Sequence, residues 1–401
     1  MGIVKNIGGN IKYVLLALIF YLSSFRMASV SDLALSYSVP GFIKVIQTIS
    51  PGIIAFFILI SLIIRIRENR GKVDTKGIIF YYIFSLSIAL FSFINGSDVL
   101  ELLNRFVFLT MIFLYFWLVV SNLQSLEKII KAVFWGMFLF ILSNLAMIIL
   151  GIGSISWKGR LFGLAGHPNF MGLCGTLVVL TSGFFFWTTK NFVDKILYIF
   201  ALGCGFWVCI LTGSRNSVVA SLIFLIFFTF FNMRDKVLRF IFLYISGLLA
   251  FLFFNYFSID TLDYAERGNT RAETWASMWE QASTLPLFGL GKTGATSNSF
   301  LFAVVAAGVT GSIFLFLSMI QTFKIFYVKS WDVKDHYLVS FRKAFLLAIF
   351  SAAFFEGFLL DTIGAAVFSY WLLLVVNVKK NNTYVKNKHD DRNYTHSSIS
   401  L

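Results

Sequence analysis

Long apolar runs separated by short polar stretches dominate this chain, and the length of those runs sorts it first. A helix needs roughly 20 apolar residues to cross about 30 Å of hydrocarbon. Windows of that kind fall near 12–29, 43–64, 77–94, 105–121, 132–152, 169–187, 196–212, 217–232, 240–257, 300–323, 344–360 and 362–378. The pattern predicts an all-α polytopic membrane protein with about twelve transmembrane helices in one domain over 1–378. The tail over 379–401 is polar and aromatic-poor and is expected to be disordered. Ile11 to Phe25 reads as the first anchor, with no signal-peptide cleavage pattern at the start.

Composition removes the soluble classes. Of 401 residues 58% are hydrophobic and only 13% charged, against about 25% charged in a soluble domain. The net charge of +14 would suggest nucleic acid in a soluble protein, but in a membrane protein Lys and Arg collect on cytoplasmic loops, so no nucleic-acid partner is expected. With both termini placed in the cytoplasm, 24 of the 33 basic residues fall on inner segments. The nine left outside are Arg26, Lys44, Arg105, Lys158, Arg160, Arg215, Arg267, Arg271 and Lys292. Cys174, Cys204 and Cys209 lie inside apolar runs, and the four histidines are scattered, so neither a disulfide framework nor a metal centre is expected.

Two outer segments exceed a short loop: 153–168, rich in Gly and Trp, and 258–299. The second carries the amphipathic pattern Thr-Arg-Ala-Glu-Thr-Trp-Ala-Ser-Met-Trp-Glu-Gln-Ala over 270–282, which predicts a surface helix with Trp275 and Trp279 on one face and Arg271 one turn before Trp275. Trp157, Trp275 and Trp279 suit either sugar stacking or interface anchoring.

The outward arginines carry the candidate chemistry. Arg215, in Leu-Thr-Gly-Ser-Arg-Asn-Ser, has no large loop to hydrate it, and a charge straying to the bilayer centre costs up to about 3 kcal/mol. It is therefore expected to face a watery cavity or an anion, or else to snorkel. Arg160 lies in a glycine-rich loop whose backbone can approach a ligand, and Pro168 and Asn169 follow at the expected start of a helix, where an anion is favoured. Arg271 and Arg267 suit phosphate oxygens, with Glu266, Glu273 and Glu280 as alternative partners. Gly289, Gly291 and Gly294 predict a flexible turn delivering Ser297 and Asn298 to the mouth of the next helix; without a preceding strand the stretch is not a nucleotide loop. Ala306, Gly308 and Gly311 read as a helix-packing stripe. Glu356 and Asp361, near the outer end of the eleventh window, are functional candidates by default, Glu356 as a base or either as a partner holding an arginine such as Arg215, the preferred reading, and His167 is structural or a base.

Residues 150–312, within that helical layout, resemble the O-antigen ligase and polymerase superfamily of bacterial envelope glycosyltransferases. The resemblance rests on four signals in order: Gly-Arg-Leu-Phe-Gly with His-Pro-Asn-Phe-Met-Gly, Thr-Gly-Ser-Arg, Arg-Ala-Glu-Thr-Trp before Pro-Leu-Phe-Gly-Leu-Gly, and Ser-Asn-Ser-Phe-Leu with Ala-Gly-Val-Thr-Gly. It implies a GT-C-like fold with one long outer (periplasmic) loop, in the bacterial inner membrane. It further implies a cofactor-free, metal-independent enzyme acting at the outer face on glycans carried by undecaprenyl pyrophosphate, with a chain-length regulator as a pathway partner. Arg215 and Arg271 match positions the family uses for the pyrophosphate leaving group, and Arg160, Asn169, Arg267, Ser297 and Asn298 accompany them as substrate-binding candidates. Ligases of this family carry a His-Asn pair where Ser297 and Asn298 stand. A serine hydroxyl is no base near neutral pH, which leaves the acceptor-activating group open among Glu273, His167 or none and favours the polymerase branch.

Overall fold

In the computed structural model the described residues are 2–27, 38–66, 76–123, 125–152, 155–157, 159–256, 270–284, 287–291, 297–328 and 336–375. Among them are thirteen α-helices: α1 Gly2–Ser23, α2 Gly41–Ile66, α3 Lys76–Ile94, α4 Val99–Leu114, α5 Leu126–Ile149, α6 Pro168–Thr188, α7 Phe192–Leu211, α8 Arg215–Asn232, α9 Lys236–Tyr256, α10 Thr270–Thr284, α11 Ser299–Phe323, α12 His336–Phe355 and α13 Ala365–Val375. A π-turn and a 3-10 turn extend α4 to Asn122, and a short hairpin, β1 Ser156–Trp157 with β2 Arg160–Leu161, lies between α5 and α6.

Among the described residues nine helices, α2 to α8 with α11 and α12, are long and apolar enough to cross a membrane. The chain is an all-α polytopic membrane protein. The remaining expected windows, 12–29, 240–257 and 362–378, fall on α1, α9 and α13, outside those nine. The described apolar parts of α1 and α13, Asn10–Ser23 and Ala365–Val375, are shorter than a span. The tail 379–401 lies outside the described residues.

Burial separates core helices from lipid-facing ones. Every residue of α13 is buried, as is α6 from Met171 to Phe185, whereas α2 and α7 leave long side chains such as Phe56 and Ile199 outward. A helix apolar all round can sit in such a core or face lipid, so pattern alone does not choose between them. Small residues set the closest approaches: a Cβ on Gly175 of α6 would lie 2.8 Å from the Gly205 carbonyl of α7.

Helix α11 is broken at Gly308, whose φ of 61° and ψ of −175° are non-helical. The break frees backbone carbonyls inside the bundle, which must find donors. The Leu290 amide donates to Val305 O (2.7 Å) and the Gly291 amide to Ala306 O (2.8 Å), while the Thr310 hydroxyl donates to Leu287 O (2.7 Å). Segment 287–291 is therefore docked along the break rather than swinging as a flexible turn, and Gly294 lies outside the described residues. Gly308 leaves the expected packing stripe for the same reason. Gly311 keeps that role, since a Cβ there would lie 2.4 Å from Ser87 Oγ of α3.

Candidate functional site

Three helix starts meet the end of a fourth helix. Each has a side-chain cap with a sequence reason: His167 Nδ1 accepts the Asn169 amide (3.2 Å) before Pro168 of α6, Ser214 caps α8, and Asn298 Oδ1 accepts the Phe300 and Leu301 amides (2.9 and 3.0 Å) of α11. All three starts then bond to the last turn of α12 or the residue after it. Asn169 Nδ2 donates to Glu356 Oε1 (2.8 Å), Asn216 Nδ2 donates to Ala352 O (3.0 Å), and the Ser299 hydroxyl donates to the Glu356 carbonyl. The Leu359 amide donates back to Ser299 Oγ (3.3 Å).

Arg160 ties the hairpin into this junction. Its Nε donates to Thr212 O (2.8 Å), just before α8, and one terminal nitrogen donates to Asn169 Oδ1 (3.1 Å). Arg215 is the first residue of α8 and, like Arg160, only partly buried, while Glu356 is 7% exposed. A helix start carries about half a positive charge. The three starts present their positive ends towards the Glu356 carboxylate and the negative end of α12, with the Arg160 guanidinium hydrogen-bonded among them.

Helix α10 approaches this junction through Trp275, whose Nε1 donates to Ser297 O (3.3 Å) and whose ring meets Phe354 edge-on at 5.6 Å. The helix forms where the amphipathic pattern predicts it, but its inward stripe is Trp275, Met278 and Ala282. Trp279 is 69% exposed, because its place a full turn after Trp275 falls on the edge of that stripe. The backbone puts Arg271 one turn before Trp275 and Glu273 is exposed; Arg271's side chain, Trp157's side chain and all of Arg267 lie outside the described residues. The Ser297 hydroxyl is buried with no hydrogen-bond partner among the described residues.

His167 sits against Phe170 and is held neutral: burial, then the Arg160 and Arg26 charges, push its pKa down to about 4. With Nδ1 taken by the cap, it is a poor base near neutral pH. Asp361 is not part of the Glu356 junction. It accepts a hydrogen bond from Arg26 (3.1 Å), whose guanidinium also donates to Ile363 O and lies over the Phe170 ring at 4.4 Å. Burial raises the Asp361 carboxyl and the Arg26 charge opposes the rise.

Sequence reasoning did not find Asn216, Ser299 or the pairing of Arg26 with Asp361. Asn216 directly follows Arg215 at a capped helix start, which is the one local signal available for it. No protein-family model matches the chain, and no curated protein matches it either.

Proposed function

We propose that this protein is a polysaccharide polymerase of the O-antigen ligase and polymerase type, joining lipid-linked oligosaccharide repeat units at the outer face of a bacterial inner membrane. The observation that supports it is the meeting of three helix starts with Arg160 and Arg215 around the end of α12. Positive helix ends and guanidinium groups suit a diphosphate that gains charge as it departs, and fixed donors meet that charge with little reorganisation.

On this reading all twelve apolar windows span the membrane in a GT-C-like arrangement, both termini are cytoplasmic, and the arginine junction faces outward. The acceptor sugar hydroxyl attacks the anomeric carbon of the donor and forms the new glycosidic bond, and its proton passes to water. The bond from that carbon to the diphosphate oxygen breaks, and its electron pair leaves on the diphosphate. A single displacement inverts the anomeric centre. Arg215 and Arg271 hold the leaving group, Arg160 keeps the starts of α6 and α8 in register, and Ser297 offers its unpartnered hydroxyl to the acceptor. No step passes through a metal or cofactor.

The envelope polysaccharide of a deletion strain tests the assignment. Loss of a polymerase leaves single repeat units on the lipid A core. Polymer stranded on its polyprenyl carrier would point instead to a ligase that hands finished glycan to that core. Absence of repeat units from the outer face would point to a translocator, and either of these results overturns the proposal.

A further inference from the structure

Helices α1 and α5 run side by side in the same direction, with Tyr13 Oη accepting the Ser125 amide (3.4 Å) at the end opposite the arginines and Tyr21 Oη bonded to Ser143 Oγ (3.3 Å) towards the other. Between them lies a groove of about 850 Å³. Its floor is set by Gly136, where a Cβ would lie 2.3 Å from the Ala17 carbonyl, and its walls include Val14, Leu18, Leu139 and Leu142. Asn10, Tyr13, Lys128 and Lys131 line the polar mouth. From Lys128 to Ser143 the groove runs about 22 Å at 1.5 Å per residue. That matches a headgroup plus one leaflet of a hydrocarbon core about 30 Å thick.

Both lysines are exposed, and no carboxylate lies within ion-pair distance of either among the described residues. Lys128 Nζ lies 5.8 Å from the Tyr13 ring centre, at the groove mouth. We infer that this groove binds an anionic glycerophospholipid of the leaflet that contains the start of α5, with acyl chain along the aliphatic walls and phosphate at Lys128 and Lys131. A neutral lipid would cover the walls equally and leave the two cations unmatched. The sugar donor does not fit as the occupant: its diphosphate would lie about a helix length, roughly 36 Å for α5, from the Arg160 end. The inference therefore stands apart from the proposed reaction.

The purified full chain, exchanged into nanodiscs of equimolar phosphatidylglycerol and phosphatidylcholine and released into detergent, is read for bound lipid by native mass spectrometry. Each lysine near an anionic headgroup contributes about fivefold, so wild type retains phosphatidylglycerol over phosphatidylcholine by about 25-fold. Lys128→Glu with Lys131→Glu removes the preference. Val14→Trp, at a wall position 56% exposed and so safe for folding, lowers retention of both lipids. Retention at the bulk ratio, a preference surviving the double lysine change, or full retention in Val14→Trp each overturns the proposal.

Discussion

Glu356 is the residue on which two helix starts depend, and its two kinds of oxygen do different work. The carboxylate takes the Asn169 amide and the backbone carbonyl takes the Ser299 hydroxyl, so only the first bond is open to mutation. Glu356→Ala leaves the Asn169 amide without that acceptor, which costs about 1–3 kcal/mol. Glu356→Gln keeps an acceptor oxygen and recovers most of the loss. Thermal unfolding in detergent of both variants checks the pair. His167 yields a pH prediction with a definite sign. Its folded pKa, about 4, lies below the usual value near 6.5. Stability is therefore level above that usual value and falls as pH drops towards the folded pKa, because the unfolded chain takes up the proton first. His167→Asn preserves a cap and flattens this profile, which a series of melting temperatures between neutral and acid pH resolves.

At the scale of elements, the break in α11 is the feature most sensitive to a single methyl group. A Cβ on Gly308 would lie 2.3 Å from Leu287 O, and its φ of +61° disfavours any L side chain. Gly308→Ala is expected to lower the yield of folded protein and expose segment 287–291 to protease, whereas Ala307→Gly at the neighbouring position leaves cleavage unchanged. Limited proteolysis followed by mass spectrometry reads this directly. The same helix shows what a sequence conceals. Ala306, Gly308 and Gly311 look alike as small residues in an apolar run, and only the docking of the Leu290 and Gly291 amides distinguishes a break from a packing stripe. Helix placement was legible because hydrocarbon thickness sets the length of an apolar run, and Pro168 marked the start of α6. The link from Asn169 to Glu356 was not, since it joins residues 187 apart and has no local signature. Trp275 and Trp279 share a face by spacing, yet only Trp275 packs inward, because residues a turn apart are buried together only within the width of the buried stripe.

For the whole molecule, orientation is the claim that charge asymmetry makes and that labelling can test. Single cysteines at Glu280 of α10 and Lys190, between α6 and α7, occupy exposed positions. In a background with Cys174, Cys204 and Cys209 replaced by serine, the Glu280→Cys variant is expected to react with a membrane-impermeant maleimide in intact spheroplasts. The Lys190→Cys variant reacts only after the membrane is opened. The reverse pattern would put the arginine junction in the cytosol and end the outer-face proposal. Twelve windows with both ends inside also require that α1, α9 and α13 span, in addition to the nine helices that qualify on length and hydropathy among the described residues. Complete burial of α13 is compatible with a span whose neighbours shield it from lipid.

The central claim is that Arg215 and Arg271 carry the charge of a departing diphosphate. Its most direct test is glycan chain growth by the purified protein in proteoliposomes supplied only with the lipid-linked repeat unit. Wild type is expected to form long polymer without added metal, and Arg215→Ala and Arg271→Ala to slow it by roughly a hundredfold to a thousandfold while inserting normally. Polymer forming at the wild-type rate in either variant would contradict the claim.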